Sequence, residues 1–350
     1  MEKTYSIKEV SEIFNITTNK VRFYEKKGLI NPKRDCENDY RYFTEDDLIK
    51  LQTILMYREL DLPIENIKDI FTDESKDNIL NHFHAQWKAI NNQIHRMQLI
   101  QNSLEEIMDN IYESENKTYK EKIIKIIESM NEVWQIKNQW KDKWDFNSWA
   151  RTYDKSVERD YGNGILNFYK YYNKILDTAY EKAIRDKENT INVLEIGVGT
   201  GNLASRFLNA GYDIIGIDQS REMLNVAKEK LPKLKLRLGN FLNIPFENGK
   251  FDLIVSTYAF HHLNEEEKKI AIREILRVLK DDGRVVIGDL MFKNQEEKEK
   301  IMSGLTKEEI EEIEDEYYSN IESLRDEFKK YNKELQVTKM DELVFIVEVN

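Results

Sequence analysis

A glycine-rich turn between an apolar segment and a helical one constrains the fold of this 350-residue chain more than any other feature. Residues 193–204 read VLEIGVGTGNLA, with glycine at 197, 199 and 201. Glycine lets the backbone approach a ligand that a Cβ atom would obstruct, and it adopts the left-handed conformations of tight turns. A strand, a glycine-rich turn and a helix in this order are typical of nucleotide-binding α/β domains. The sequence therefore predicts such a domain around this turn.

Further apolar segments continue the α/β pattern towards the C-terminus. The predicted strands are Asn192–Ile196, Asp213–Ile217, Lys235–Leu238, Phe251–Ser256, Arg284–Asp289 and a terminal hairpin of Glu334–Lys339 with Leu343–Val349. Helical segments separate the strands, which predicts a doubly wound sheet of seven strands. Residues 294–333 are rich in Glu and Lys and predict a helical insertion, which would form a lid or one wall of a substrate pocket or else a solvated surface helix of the fold.

These ordered motifs resemble those of the class I S-adenosylmethionine-dependent methyltransferases, over about 200 residues. The resemblance implies S-adenosylmethionine as the cofactor. It implies a cofactor site formed by Tyr153, Glu195, Gly197, Gly199, Gly201, Asp218, Gln219, Met223, Asn240, Phe241 and Ser256. In that site Asp218 would bond the ribose, and Asn240 would accept a hydrogen bond from the adenine amine through its side-chain oxygen. Tyr153, in the segment WARTYD, would close over the methionine end.

Methyl transfer needs in-line positioning of the acceptor, and it needs a base when the acceptor carries a proton. His261 follows the strand Phe251–Ser256 and is the predicted catalytic base. The alternative is a histidine that is only hydrogen-bonded at a strand–helix junction. Residues 256–259 read STYA, which lacks the N/D-P-P-Y pattern of many adenine and glutamine methyltransferases. The expected acceptor is therefore a small molecule.

The first 75 residues have a different pattern. Ser6 and Glu9 form a predicted capping box at the start of one short helix. Thr17 or Thr18 begins a second helix, which Gly28 ends. The segment YRYF at 40–43 predicts a β-wing. Two short helices joined by a tight turn predict a helix-turn-helix, whose second helix enters the DNA major groove.

This segment resembles the MerR family of transcription regulators through residues 5–10 (YSIKEV), 21–30 (VRFYEKKGLI) and 40–43 (YRYF). The resemblance implies a dimer that binds promoter DNA, with RNA polymerase as a further partner. The predicted DNA contacts are Thr17, Thr18, Asn19, Lys20, Arg22, Tyr24, Arg41 and Tyr42. Among them, Tyr24 and Tyr42 would bond phosphates, and Arg41 would reach a phosphate or the minor groove.

Residues 76–112 carry apolar side chains at steps of three and four, the pattern of a coiled coil. These are Leu80, Phe83, Trp87, Ile90, Ile94, Met97, Leu104, Met108 and Ile111, with Gln101 as a polar position on the seam. The pattern predicts a homodimer helix. The alternative is a helix that packs on its own methyltransferase domain. His82, His84 and His95 are predicted to be solvated, and no metal site is expected.

Charge and composition limit the remaining options. The formal net charge of -12 opposes DNA binding, but residues 1–43 contain nine Lys and Arg against seven acids. Cys36 is the single cysteine, which excludes an internal disulfide and indicates a reducing compartment, here the cytoplasm. No apolar stretch is long enough for a membrane span, and the N-terminus lacks the apolar core of a signal peptide.

The predicted architecture is multidomain. An all-α winged helix-turn-helix (1–75), a long coiled-coil helix (76–112) and a helical linker (113–146) precede an α/β Rossmann-like, seven-stranded methyltransferase domain (147–350). The predicted function is a MerR-type regulator whose S-adenosylmethionine-binding domain acts on or senses a small molecule. Two alternatives stay open. In one, the N-terminal module mainly dimerises a small-molecule methyltransferase; in the other, the domain is an idle S-adenosylmethionine sensor.

Overall fold

The computed structural model describes residues 3–35, 39–59, 64, 67–68, 76–113, 119–140, 142–159, 168–186 and 191–350. The chain divides into two compact units, Met1–Ile94 and His95–Asn350. The boundary between the two units lies inside a long helix. Cys36, most of residues 60–75 and the side chains of Leu80, His82 and His84 lie outside the described residues.

The N-terminal unit contains short helices and a small sheet. Its elements are β1 (Tyr5–Ser6), α1 (Ile7–Ile13), α2 (Thr18–Lys26), β2 (Lys33–Arg34), β3 (Arg41–Phe43), α3 (Glu45–Glu59) and the start of α4 (Lys76–Glu113). The capping box of Ser6 and Glu9 begins α1, the Thr17 side chain caps α2, and Gly28 follows α2 with a φ of 71°. The strands pair antiparallel in the order β1-β3-β2. The all-α description of this unit is therefore wrong, because the wing strand β3 pairs with the segment before α1.

The C-terminal unit contains the rest of α4 and an α/β domain. Its helices are α5 (Tyr119–Gln139), α6 (Phe146–Trp149), α7 (Tyr153–Arg159), α8 (Tyr172–Ile184), α9 (Ala204–Asn209), α10 (Arg221–Lys230), α11 (Glu265–Val278), α12 (Gln295–Met302), α13 (Lys307–Glu314) and α14 (Ile321–Lys329). Its strands are β4 (Asn192–Ile196), β5 (Asp213–Asp218), β6 (Lys235–Leu238), β7 (Phe251–Thr257), β8 (Leu279–Phe292), β9 (Ser319–Asn320), β10 (Leu335–Lys339) and β11 (Val344–Val349).

The main sheet has the strand order β10-β11-β8-β7-β4-β5-β6, and the two-residue strand β9 pairs with the end of β8. Over the described residues it has eight strands, one more than expected from the sequence. Strands β4 to β8 are parallel, and β11 runs antiparallel to both β8 and β10. The carboxyl ends of β4, β5 and β7 therefore meet at one edge, where ligands bind in open α/β sheets.

Two hydrophobic clusters cover the two faces of this sheet. Neighbouring strand residues alternate between them, because successive side chains of a strand point to opposite faces. On β4, Leu194 and Ile196 belong to one cluster and Val193 to the other. Helices α11 and α14 contribute to the first cluster, and α8, α9 and α10 to the second. The apolar runs of the sequence are thus explained by strands buried on both faces.

The predicted linker 113–146 belongs to the C-terminal unit. Val133 of α5 is buried in the first cluster, and Trp140, just after α5, packs against it.

The prediction that His95 is solvated is wrong. His95 is 7% exposed, and its Nε2 lies 3.0 Å from the carbonyl oxygen of Ile244. Its Nδ1 lies 3.4 Å from the carboxylate of Glu274, so this turn of α4 packs on the α/β domain.

The predicted helical insertion 294–333 is divided into α12, α13 and α14. Asn320 interrupts it, since its side chain accepts hydrogen bonds from the backbone of Glu322 and Ser323 and so starts a new helix. Within the described segments, none of the helices has the length and apolar character of a membrane span.

Candidate functional site

The glycine turn after β4 has a conformation that requires glycine. Gly197, Gly199 and Gly201 have φ values of 71°, 50° and 86°. A Cβ atom at Gly197 would lie 2.5 Å from the Cβ of Ala259, and one at Gly201 would lie 2.8 Å from the Leu231 side chain. A Cβ at Gly199 would meet nothing within 4 Å, because this glycine borders a cavity. The turn therefore leaves an open, backbone-lined cradle.

Asp218 ends β5 and holds this turn. Its carboxylate accepts hydrogen bonds from the backbone N–H of Gly199 at 2.9 Å and of Ser220 at 2.8 Å. Burial raises the pKa of Asp218 to about 6, although these N–H groups stabilise the anion. The carboxylate lines the cavity, where it can accept hydrogen bonds from a ligand.

Glu195 is the second acid beneath the turn. Its side chain is 1% exposed, and burial together with the charge of Asp218 raises its pKa well above the usual range. Its Oε2 atom has no hydrogen-bond partner among the described residues. A buried polar atom without a partner is costly, and a ligand that supplies a donor removes that cost. Glu195 and Asp218 thus fit a ligand rich in hydrogen-bond donors, such as an amino acid–nucleoside conjugate.

The turn opens into a cavity of about 580 Å³ at the carboxyl edge of the sheet. It is lined by His261 and by nine of the eleven predicted cofactor residues, which are Tyr153, Glu195, Gly197, Gly199, Asp218, Gln219, Met223, Asn240 and Phe241. Gly201 is not among the lining residues: it packs next to Leu231 and shapes the turn. Ser256 is not among the lining residues: it is buried in β7, while its neighbour Thr257 reaches the cavity. Ser256 is therefore corrected to a position inside the sheet.

The predicted adenine contact of Asn240 also needs correction. Its side-chain oxygen already accepts hydrogen bonds from the backbone of Leu242 and Asn243, both at 3.0 Å. A carbonyl oxygen has two lone pairs, so this oxygen is fully used and only the amide NH2 group can serve a base. Gln219 nearby accepts a hydrogen bond from the indole N–H of Trp140 at 2.7 Å.

Helix α7, which contains Tyr153, is fixed to the glycine turn. Asp154 accepts hydrogen bonds from Thr200 at 2.6 Å and from Asn202 at 3.0 Å, and it pairs with Lys230 at 2.5 Å. Tyr153 lines the cavity, and burial raises its pKa well above the usual range. The WARTYD segment thus forms a wall of the cavity next to the turn.

His261 lies in a short turn after β7, with carboxylates on both ring nitrogens. Its Nδ1 contacts the carboxylate of Asp289, and its Nε2 lies 3.2 Å from the carboxylate of Glu316. Burial by itself lowers the pKa of His261, but the charges of Asp289 and Glu316 outweigh it and raise the pKa above its ordinary value. Asp289 also accepts from the backbone N–H of Phe260, His261 and Leu290, which fixes the whole turn.

The part of the cavity around His261 is acidic and aromatic. We call it the His261 end: it consists of His261, His262, Glu312, Asp315, Glu316 and Tyr318. The rings of Trp144 and Phe146 pack on His262 at 4.4 and 4.9 Å. Ligand atoms of His261, His262 and Glu316 lie within 4.8 Å of one another, so these three residues offer a set of donors for a cation.

Tyr258 links β7 to this end of the cavity. Its φ is 51°, a left-handed conformation that costs a residue with a side chain roughly 1–2 kcal/mol. Its backbone N–H donates to Gly288 at 3.0 Å and its hydroxyl donates to the carbonyl of Phe168 at 3.1 Å. These contacts hold the strained residue, whose ring packs on Tyr169 and Tyr172.

Several residues of the site were not predicted from the sequence, among them Trp140, Asp154, Asp289 and Glu316. Asp289 ends a predicted strand, as Asp218 does, and that position is a usable signal. Asp154 lies in the WARTYD segment, where only the tyrosine was selected. Glu316 had no local signal, because an acid in a Glu-rich helical region is indistinguishable from its neighbours.

The structure leaves some of the predicted DNA-contact residues exposed and buries others. Thr17, Asn19, Lys20 and Arg22 are exposed at the start of α2, and Thr18 is half-buried there. Tyr24 is 2% exposed and belongs to the core of its unit, so its prediction as a phosphate contact is corrected. It lies on the inner face of α2, three residues after Val21, which is also buried.

Arg41 and Tyr42 lie on the wing strand β3. The guanidinium of Arg41 donates to both carboxylate oxygens of Glu25, at 2.8 and 3.0 Å, so it braces the wing against α2. Its predicted contact with a phosphate or the minor groove would require this pair to open. Tyr42 is half-buried and pairs with Ser6 and Lys33 in the small sheet.

Comparison with known proteins identifies both units. Residues 193–283 match the family model described as a methyltransferase domain, and residues 5–74 match that of the MerR HTH family regulatory proteins. An uncharacterized methyltransferase of Oceanobacillus iheyensis is 40% identical over 206 residues, which cover 58% of this chain and 93% of the relative. An uncharacterized methyltransferase of Alkaliphilus oremlandii is 37% identical over 206 residues, which cover 58% of this chain and 94% of the relative.

Among solved structures, magnesium protoporphyrin IX methyltransferase from Synechocystis PCC 6803 is similar at 19% identity and a TM-score of 0.46, covering 59% of this chain and 99% of that one. The matches to the family models and to the curated relatives confirm both family predictions. S-adenosylmethionine is the cofactor that agrees with this methyltransferase match. The chain belongs to the S-adenosylmethionine-dependent methyltransferases and carries a MerR-type helix-turn-helix domain in its N-terminal part.

Proposed function

We propose that the C-terminal unit methylates a small molecule in the 580 Å³ cavity and that the N-terminal unit binds promoter DNA as part of a homodimer. One observation carries the catalytic part. His261, held by the buried Asp289, lines the same cavity as the glycine turn and Asp218. A domain that only sensed its cofactor would not need an oriented base in that cavity.

The residues around the turn would hold the cofactor. Asp218 would accept from the ribose hydroxyls, Glu195 would accept from a donor through its free oxygen, and Gly199 would bring the backbone close. S-adenosylmethionine, when bound, supplies an electrophilic methyl group. The α7 wall, fixed by Asp154, would exclude water from that side, and the electrostatic contacts become stronger when water is excluded.

His261 would act as the general base. Asp289 holds its Nδ1 and the carboxylate of Glu316 lies 3.2 Å from its Nε2, so Nε2 would take the proton of an acceptor that enters beside Glu316. Such an oriented base contributes typically about 10²–10⁴-fold to a rate. Asp289 also stabilises the imidazolium that results. Asp289 is therefore a positioning residue, since it acts through His261.

Dimerisation is supported by apolar side chains on α4 that are exposed in the single chain. They are Phe83, Ile94, Met97, Leu104, Met108 and Ile111. Apolar area removed from water contributes roughly 25 cal/mol per Å². A second copy of the chain, packed along α4, would cover these side chains. Promoter binding, with RNA polymerase as a partner, would place the protein in the cytoplasm.

Replacing Arg22 with alanine is expected to weaken promoter binding by roughly 10- to 100-fold, because a side chain near base edges or phosphates is lost. Arg22 is exposed on α2, so the fold should be unaffected. The control is Lys8→Ala, which removes one positive charge from α1, where the side chain is 83% exposed. Gel-shift titration with the DNA upstream of the gene measures both. Unchanged binding by Arg22→Ala would instead favour an N-terminal unit that mainly dimerises the enzyme.

Coupling between cofactor and DNA is tested by calorimetry. S-adenosylmethionine is titrated into the full chain, free and bound to its upstream DNA. If the cofactor regulates DNA binding, the two affinities should differ by at least about 5-fold, and the DNA affinity should change by the same factor when cofactor is added. Equal affinities would show that the cofactor alone is not the signal.

A further inference from the structure

Three side chains of the cavity have the spacing of metal ligands. The carboxylate of Glu316 lies 3.2 Å from Nε2 of His261 and 3.8 Å from Nδ1 of His262. All three residues line the cavity, and they offer donor atoms that lie within 4.8 Å of one another. Zinc binds imidazole nitrogens and carboxylate oxygens at about 2.0–2.2 Å, so the ligand atoms of a tetrahedral site are about 3.4 Å apart. A single ion could therefore bridge these three side chains.

The Nδ1 atom of His262 points to a ligand from outside the protein. It is buried and has no hydrogen-bond partner among the described residues. The rings of Trp144 and Phe146 pack on this imidazole at 4.4 and 4.9 Å and hold it in place. A buried polar atom without a partner is costly, and an ion that accepts the electron pair of this nitrogen removes that cost.

The other two ligands are held by contacts that involve no ion. Asp289 contacts Nδ1 of His261, and a carboxylate on the far nitrogen of a ligating histidine is the common outer shell of zinc sites. Glu316 is placed through its neighbour Tyr317, whose backbone N–H donates to the carbonyl oxygen of His261 at 2.9 Å. The carbonyl oxygen of Tyr317 accepts from the ammonium of Lys268. The ligand atoms are thus brought together before an ion arrives.

The donor types, and not the net charge, select the ion. The carboxylates of Asp289 and Glu316 favour a cation beside His261, whereas the charge of Lys268 acts on His261 in the opposite direction. Two imidazoles and one carboxylate suit zinc and neighbouring transition-metal ions, while magnesium and calcium prefer oxygen ligands. The set therefore fits a divalent transition-metal ion.

We propose that His261, His262 and Glu316 bind one divalent transition-metal ion such as zinc, and that the bound ion inhibits methyl transfer. The binding site goes beyond the proposed function, and the inhibition rests on it. An ion coordinated by Nε2 of His261 occupies the electron pair that a general base needs to accept a proton. The three protein ligands leave a fourth coordination position, which water can fill.

Titration of Zn²⁺ into the full chain tests the site, with competition by a chromophoric chelator as the measure of affinity. Co²⁺ is the spectroscopic probe, and its visible absorption bands should report four-coordinate binding. His262→Gln and Glu316→Gln should each weaken zinc binding by at least about 10–100-fold, because loss of an outer-shell partner already costs that much. Glu314→Gln is the matched control, since it removes a carboxylate from an exposed position of α13 that does not line the cavity. No zinc binding by the native chain, or native affinity in both ligand variants, would overturn the site.

The inhibition is measured by formation of S-adenosylhomocysteine in the presence of a methyl acceptor. Zinc at saturation should lower kcat by roughly 10²–10⁴-fold, the contribution of a general base, and a chelator should restore it. In Glu316→Gln the inhibiting zinc concentration should rise by the same factor as the zinc dissociation constant. A native or increased kcat with zinc bound would overturn the inhibition. If S-adenosylhomocysteine does not bind the native chain, the proposed function fails, while the zinc titration, made without cofactor, still decides the metal site.

Discussion

Replacement of Asp218 by alanine is expected to weaken S-adenosylmethionine binding by at least about 100-fold, since hydrogen bonds to a charged acceptor contribute about 1.5–3 kcal/mol each. Two effects combine in this variant. The ribose loses its acceptor, and the backbone N–H groups of Gly199 and Ser220 lose theirs, which loosens the turn. Calorimetric titration of the cofactor measures the loss directly.

The native protein should also lose cofactor affinity as the pH falls through about 6, the pKa of Asp218. Protonation removes the charge that accepts the ribose hydroxyls, so the loss occurs on the acid side. In Asp218→Ala this pH dependence should disappear. Asp213→Ala is the matched control, because Asp213 begins the same strand, is exposed and pairs with Lys235 at 2.6 Å. Tight binding by Asp218→Ala would refute the assignment of this pocket to the cofactor.

Replacement of His261 by glutamine is expected to lower kcat by roughly 10²–10⁴-fold, the contribution of a positioned general base. The affinity for S-adenosylmethionine should change by no more than a few-fold, since His261 is not one of the residues expected to hold the cofactor. Formation of S-adenosylhomocysteine in the presence of a methyl acceptor measures kcat. A variant with native kcat would show that His261 is only a hydrogen-bonded junction residue.

The pH profile of kcat separates catalysis from a structural role. His261 must be neutral to accept a proton, so kcat should rise with pH through a midpoint above the ordinary value of about 6.5. Asp289→Asn should move that midpoint to lower pH, because Asp289 raises the pKa of His261 while burial lowers it. The other charged groups facing His261 are Glu316, which also raises its pKa, and Lys268, which lowers it.

The control for this shift is Asp281→Asn, an exposed position on the same strand as Asp289. It makes the same change of side chain without touching the His261 turn, so both kcat and the midpoint should stay native. A drop in kcat with an unchanged midpoint in Asp289→Asn would mean that Asp289 only supports the backbone of residues 260, 261 and 290.

Short sequence motifs, each confined to a few residues, determined the local structure of this protein. The capping box of Ser6 and Glu9 and the left-handed Gly28 depend on hydrogen bonds and steric limits within one turn of chain. The strand β4 begins and ends where its apolar pattern predicts, because burial on two faces requires that pattern. The edge strand β6 also has its predicted limits, and its alternating pattern matches side chains that are alternately exposed and half-buried. The glycine turn and the acid at Asp218 likewise lie within one strand–turn–helix unit and its neighbouring strand.

Only tertiary packing decided what surrounds these elements. Glu316 meets His261 across a separation of 55 residues, and Trp140 meets Gln219 across 79. The burial of His95 against Ile244 spans 149 residues, and it places a turn of the predicted dimer helix on the α/β domain. The burial of Tyr24 is a further case, because the packing of its unit decided which side of α2 faces the core. A periodic pattern indicates that one face of a helix or strand is apolar. Contacts between segments distant in sequence decide which other element covers that face.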